Sequence, residues 1–136
     1  INNVETIAQV PVILKKGLAW WTQFGRPNNH GTKVYSISGS VNKPCNVEAP
    51  MSIPLRTLID EFAGGVIGGW DNLQAIIPGG SSTPVLTKDL AEKCIMDFDG
   101  CREQGSALGT AAVVVMDKSV DVLAVYTRIA RFYKHE

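Results

Sequence analysis

No stretch of this 136-residue chain stays apolar for the ~20 residues a membrane-spanning helix requires. No charged segment followed by an apolar one opens it either, so any targeting segment is expected to have been removed or to lie outside this piece. Charge of one sign is also lacking. Thirteen Lys and Arg balance thirteen Asp and Glu, and the basic residues form no run of five or six, so a phosphate backbone or an anionic lipid surface meets no electrostatic footprint. Nucleic acid and direct membrane contact are therefore not expected. Cysteine is scarce, with three residues at uneven spacing. Cys94 and Cys101, if both lay on one helix, would stand roughly 10 Å apart, too far for a disulfide, and Cys45 follows Pro44 in a turn-like stretch without an evident partner. All three are expected to be free thiols. Two distant histidines make no metal cluster, the glycines follow neither P-loop nor G-x-G-x-x-G spacing, and no Ser or Cys has a recognisable base beside it. From these residues alone the chain reads as a binding or support module rather than an enzyme.

What is present is an ordinary globular composition, 45% hydrophobic and 19% charged, enough for one core of about 100 residues with pieces of its neighbours. Asn2 and Asn3 precede an apolar-periodic run with Glu5 in its first turn, a helix N-terminus; Pro11 is expected to interrupt it, and a second short helical piece over residues 12–17 ends at Gly17. Trp20, Trp21 and Phe24 add apolar mass before the turn-rich segment from Gly25 to Gly31, read as the first boundary. From Lys33 the period changes to two. Tyr35, Ile37 and Val41 alternate with serines, with Gly39 at a bulge, and a second strand is expected over Cys45 to Glu48. Leu55, Leu58, Ile59 and Phe62 then follow helical spacing behind Ser52 and Pro54 and stop at Gly64-Gly65. Leu73, Ala75 and Ile77 alternate again before a turn at Pro78-Gly79-Gly80-Ser81-Ser82, for which a plain turn outweighs an anion nest.

Strand, strand, helix, strand is the order of a β-grasp, with Tyr35, Ile37, Leu58, Ile59, Phe62 and Ile77 as its small core. A helical stretch is expected around Leu90 to Arg102, followed by the continuous apolar strand Ala111 to Met116, which must be covered on both faces and is expected to belong to a larger body. The last helix reads with Ser119 as N-cap and carries two apolar rows, Val122/Val125/Ile129/Phe132 and Leu123/Tyr126/Ala130/Tyr133, a width suited to a helix bundle. Its pattern runs to the final residue, so the chain is expected to be an internal piece of a longer protein.

Six strings occur along the chain in a fixed order: the run from Asn2 to Ala8, Gly31-Thr32-Lys33, Gly64-Gly65 with Gly69-Trp70, Ile77 to Ser82, Gly109 to Val113, and Phe132 to Glu136. Through them nearly the whole chain resembles the family of FMN- and NADH-binding 51-kDa (flavoprotein 1) subunits of respiratory complex I. The Asn42-Lys43-Pro44-Cys45 and Met96-Asp97-Phe98-Asp99 segments are most similar to the mitochondrial and related bacterial forms.

The resemblance implies an α+β chain whose ubiquitin-like β-grasp, of the soluble-ligand-binding type, covers residues 31–87. Residues 1–30 would end a flavin-binding α/β domain, 88–118 would form a helix and buried strand, and 119–136 the first helix of an iron–sulfur cluster-binding bundle. It implies an oxidoreductase passing hydride from NADH to FMN and single electrons to iron–sulfur clusters, with FMN, NAD and a 4Fe-4S cluster as cofactors. The cluster cysteines, the flavin loop and the nucleotide clamp would lie outside this piece, so the piece alone is expected to be inactive. Asn2, Asn3 and Thr6 match FMN contacts, Gly109 and Thr110 the neighbourhood of the nicotinamide, and His135 a position beside the cluster; no catalytic residue or metal ligand is implied within the chain. The implied partners are NADH and the 24-kDa and 75-kDa iron–sulfur subunits. The implied location is the matrix side of the mitochondrial inner membrane, or the cytoplasmic face in a bacterium. Two other readings remain: a diaphorase subunit of an NAD-linked hydrogenase or formate dehydrogenase, and a stand-alone β-grasp module binding a ligand or protein.

Overall fold

The computed structural model describes residues Ile1–Glu136. Helix α1 (Val4–Lys16) starts where the asparagines predict, with Asn3 as N-cap accepting the Glu5 N–H, and ends at Gly17. It runs straight through Pro11, joining the two expected pieces. A short α2 (Leu18–Trp21) follows. The grasp then begins with β1 (Thr32–Gly39) and β2 (Cys45–Pro50), an antiparallel pair, followed by the short β3 (Ile53–Pro54) and helix α3 (Leu55–Phe62). Strands β4 (Leu73–Ile77) and β5 (Leu86–Thr87), helix α4 (Lys88–Lys93), β6 (Ile95–Met96), helix α5 (Phe98–Glu103), strand β7 (Ala112–Asp117) and helix α6 (Val122–His135) complete the chain.

The main sheet has the order β2-β1-β7-β4-β5, and β7 runs parallel to β1 in its middle while the remaining pairs are antiparallel. This corrects the expected boundary at residue 87. The buried strand assigned to a larger body is the central strand of the grasp itself, and residues 31–87 lack it. Local periodicity could not show this, because pairing of Ser36 with Ala112 and Ile37 with Val113 is a contact between chain segments far apart in sequence. The approach is close at Gly39, whose φ is +86° and where a Cβ would stand 2.1 Å from the Val115 carbonyl oxygen. Only glycine fits there.

Helix α3 lies on one face of the sheet, and Tyr35, Ile37, Leu55, Leu58, Ile59, Leu73, Ile76, Val113 and Val115 form the core between them. Phe62 does not join it, being 36% exposed. The buried row of α3 passes through Leu55, Leu58 and Ile59 and is continued by Ala63; Phe62 shares that face by spacing but is the last residue of the helix and stays partly exposed. Accordingly Leu58→Ala is expected to cost about 3 kcal/mol of unfolding free energy and Phe62→Ala under about 1 kcal/mol, read from denaturant midpoints at constant m-value.

The alternation in β4 is broken as well. A bulge between Leu73 and Ala75 shifts its phase, so Leu73 and Ile76 enter the main core while Ala75 and Ile77 join Met116 on the opposite face. There Val122, Val125 and Ile129 of α6 cover them. One of the two apolar rows of α6 is thus already seated on the sheet, and Leu123, Phe132 and Tyr133 remain exposed. The N-cap of α6 is Asp121 and not Ser119, whose N–H and hydroxyl both go to Asp117 Oδ1.

The single helix expected around residues 90–102 is two short helices folded back on each other by β6. As a result the Cys94 and Cys101 sulfurs lie 3.7 Å apart, both fully buried, instead of the separation a continuous helix would impose. The contact with Cys101 and burial push the Cys94 thiol up, which keeps it protonated.

Candidate functional site

Helix α1 has no buried residue, and polar contacts hold it against the edge of β1. The Glu5 carboxylate accepts the Val34 N–H at 2.7 Å and pairs with Lys33 Nζ at 2.8 Å, while Gln9 Nε2 donates to the Thr32 carbonyl at 2.9 Å. Burial opposes the Glu5 charge, and the bonds from Lys33 and Val34 outweigh it, holding its carboxyl below the usual range. From the opposite side, the turn at Gly109 enters β7. Gly109 has φ +49° and sits against the Gly79 carbonyl, which also accepts from Thr110 N–H at 2.9 Å and Thr110 Oγ1 at 3.2 Å.

Between the start of α1 and this turn lies a cleft of about 350 Å³ lined by Asn3, Glu5, Thr6 and Gln9 of α1, by His30, Thr32 and Lys33, and by Met51, Phe98 and Gly109. Asn3 spends its amide oxygen on the Glu5 N–H, which leaves its NH2 free to donate. The Thr6 N–H has no partner in the chain and is a helix-start donor open to an acceptor. Phe98 is 59% exposed at the cleft, while its N–H is fixed at 3.0 Å by the side chain of the buried Asn29.

Of the sequence-predicted site residues, Asn3, Thr6 and Gly109 are brought together on this one cleft. Asn2 is exposed just ahead of the helix and does not line it. Thr110 stands beside it with its hydroxyl turned to Gly79. His135 is remote in sequence from the cleft, at the exposed end of α6. The cleft residues that sequence reasoning did not place there are Glu5, Gln9, His30, Thr32, Lys33, Met51 and Phe98. Lys33 lies within one of the six recurring strings and Phe98 within the Met96-Asp97-Phe98-Asp99 segment, but nothing in their spacing ties them to Asn3.

The loop from Gly25 to Gly31, read as a boundary, is clasped to the α5 turn. Arg26 Nε and its NH2 group donate to the two Asp97 oxygens at 2.8 and 3.0 Å, and Asn29 Nδ2 donates to Asp99 at 2.7 Å. This clasp carries His30 and Phe98 to the cleft. A second groove of about 700 Å³, on the other side of α1, is walled by Val12, Trp20, Trp21, Phe24, Val34 and Pro50 and lacks a comparable set of convergent donors. No three His, Cys, Asp or Glu side chains converge anywhere in the chain to hold a metal.

The donors of the first cleft, an amide, a hydroxyl, a helix-start N–H and two basic side chains around an exposed aromatic ring, suit a flat, acceptor-rich ligand such as a flavin. The chain is 60% identical over all 136 residues to an NADH-quinone oxidoreductase subunit of Rhizobium meliloti (strain 1021), of which it spans 31%. It is 59% identical over the same span to the mitochondrial NADH dehydrogenase (ubiquinone) flavoprotein 1 of Dictyostelium discoideum, spanning 28% of it. The chain thus covers under a third of these relatives. Among solved structures, a chain of the NAD+-reducing NiFe-hydrogenase in its air-oxidised state superposes with a TM-score of 0.84 at 29% identity, over 99% of this chain and 22% of that one. The SLBB domain profile matches residues 33–115, a span that takes in β7 as far as Val115 and so agrees with the sheet order, and the chain belongs to the SLBB domain family.

Proposed function

We propose that this chain is the middle portion of the NADH-oxidising flavoprotein subunit of respiratory complex I, and that the cleft between α1 and the grasp is one wall of its FMN site. The observation that carries the reading is the convergence of the helix-start pair Asn3 and Thr6 with the sequence-distant Gly109 on one polar cleft, in a chain with 60% identity to an NADH-quinone oxidoreductase subunit. FMN, when bound, supplies the conversion of a hydride from NADH into single electrons for a nearby 4Fe-4S cluster. This chain's part is to hold and orient: Asn3 NH2, Thr6 and the helix-start N–H donate to the ligand, and the Gly109–Thr110 turn leaves room for close approach at the nicotinamide side.

On this reading residues 1–30 close the flavin-binding domain and α6 opens the cluster-binding bundle, with its uncovered row, Leu123 and Tyr133 among it, facing the next helices. NADH and the 24-kDa and 75-kDa iron–sulfur subunits are its partners. The assembly stands on the matrix side of the mitochondrial inner membrane or, in a bacterium, on the cytoplasmic face; no helix here is long and apolar enough to cross a membrane. The diaphorase alternative rests on the hydrogenase likeness, and the twofold higher identity to the complex I proteins favours the first reading.

In the complete subunit, Asn3→Ala is expected to weaken FMN retention about tenfold, the worth of one good hydrogen bond lost together with a helix cap, while Cys94→Ser leaves it unchanged. Flavin released by denaturation after gel filtration, measured by fluorescence, is the check. Equal flavin in wild type and the Asn3 variant removes Asn3 from the site.

A further inference from the structure

We infer that Glu5, with Gln9 one turn later, is a positioning residue that sets the spacing between the flavin-contacting helix start and the Gly109 turn; this rests on the flavin reading of the cleft. Strand β7 pairs with β1 only from Ser36 onward, where the Ser36 N–H reaches the Ala111 carbonyl at 3.1 Å and the Ser40 N–H reaches Val115 at 2.8 Å. Successive donors on that edge of β1 are two residues apart, so Val34 N–H and Thr32 C=O point to the same side, where β7 has not yet begun. A strand reaching further would satisfy them from residue 109 or before it. It cannot, because the chain turns away at Gly109, with φ +49° there and +56° at Ala111.

Two side chains of α1 take the vacated ladder positions. The Glu5 carboxylate accepts from Val34 N–H, and the Gln9 amide donates to Thr32 C=O. Their i, i+4 spacing puts both on one helix face. Glu5 is also held by Lys33, and its own N–H is the donor that Asn3 caps. One residue therefore joins the helix cap that orients Asn3 to the sheet edge that ends at Gly109. With no buried side chain on α1, these polar tethers fix its register against β1, so a change in them is felt first as movement of Asn3 and Thr6 relative to Gly109.

The test uses the complete subunit. Glu5→Ala is expected to raise the FMN dissociation constant about tenfold and to alter the visible absorption bands of the flavin that remains bound; Glu5→Gln, which keeps an acceptor for Val34 N–H, restores the affinity to within about threefold of wild type. A residue serving stability alone would lower the melting temperature of the FMN-free subunit and leave the bound flavin's spectrum as it was, and that pattern overturns the inference. If Glu5→Ala does not fold, Gln9→Ala breaks the second tether by itself: a rise of about threefold in the dissociation constant supports the positioning role, and wild-type affinity overturns it. Asn3→Ala separates the two levels. Weakened FMN binding in Asn3→Ala beside wild-type binding in Glu5→Ala leaves the flavin cleft standing and overturns only the positioning role, whereas wild-type binding in both removes the flavin from this cleft.

Discussion

Asp97→Ala is expected to lower the unfolding free energy by about 3 kcal/mol, the sum of a lost helix cap and orphaned buried donors. Its side chain is fully buried, receives two bonds from Arg26, and caps α5 through the Gly100 N–H at 2.6 Å. The cost stays near the lower end for a broken buried pair because the Arg26 side chain is 39% exposed and can return to water. Arg26→Ala is expected to be the worse of the two, since it strands the fully buried carboxylate. Burial alone would raise the Asp97 pKa, and the hydrogen bonds from Arg26, Ser52 and the Gly100 N–H outweigh it, so the folded-state value is depressed. A carboxyl with a depressed folded pKa contributes stability that is present above its unfolded value, near 4, and is lost as pH falls through the folded one. The stability gap between wild type and Asp97→Ala should therefore be constant from neutral pH to about 5 and narrow below about 4. Denaturant unfolding at a series of pH values reads it directly, and a gap that widens on acidification contradicts the assignment.

The second large effect is a loss of binding. These 136 residues expressed alone are expected to show no tight FMN binding and no NADH:ferricyanide activity, even with FMN supplied. A cleft of about 350 Å³ bounded on one side by a single exposed helix, with Met51 and Phe98 as its apolar lining, cannot cover the 70–90% of ligand surface that a small-molecule site of this kind normally buries. Titration with FMN followed by fluorescence quenching is the measurement. Stoichiometric quenching at micromolar flavin would mean that the cleft is a complete site, and that the proposed division of the flavin pocket between this chain and other segments is wrong. Aggregation through β7 is not expected, because its faces are covered by α3 and α6; the apolar exposure that remains lies on α6, at Leu123, Phe132 and Tyr133, and along α1, at Val4, Ile7, Val10, Val12 and Leu14.

Much of the fold was legible where a signal is local. The asparagines mark the start of α1, Gly17 its end, and Pro54 with Gly64-Gly65 bound α3 within a residue or two. The period-two stretch from Lys33 gives β1 its inward Tyr35 and Ile37. Reading failed where a distant contact decided the outcome. Phe62 has the right spacing and is still 36% exposed, because it is the last residue of α3, beyond the Leu55, Leu58 and Ile59 side chains that fill the interface. Leu73, Ala75 and Ile77 alternate in sequence but not in space, since the bulge opposite β7 reverses the phase. Residues 90–102 carry helical periodicity, yet the short β3–β6 pairing of Ile53 with Met96 splits them and brings the two thiols together.

The candidate site divides in the same way. Asn3, Thr6 and Gly109 were named from recurring strings, but strings carry no distances, and their convergence depends on β7 entering the sheet beside β1. His30 and Phe98 are neighbours of the loop–α5 clasp made by Arg26 with Asp97 and by Asn29 with Asp99 and the Phe98 N–H, contacts between segments with no shared periodicity. By itself the sequence determined the longer elements α1, β1, α3, β7 and α6, the ends of α1 and α3, the α+β character and the family, because these follow from backbone propensities, apolar spacing and short ordered strings within a few residues. Only the tertiary structure decided which strand is central, which faces are covered and where the cleft lies, because parallel pairing of the first and last strands and the docking of α1 by Glu5 are long-range choices that no window of the chain contains.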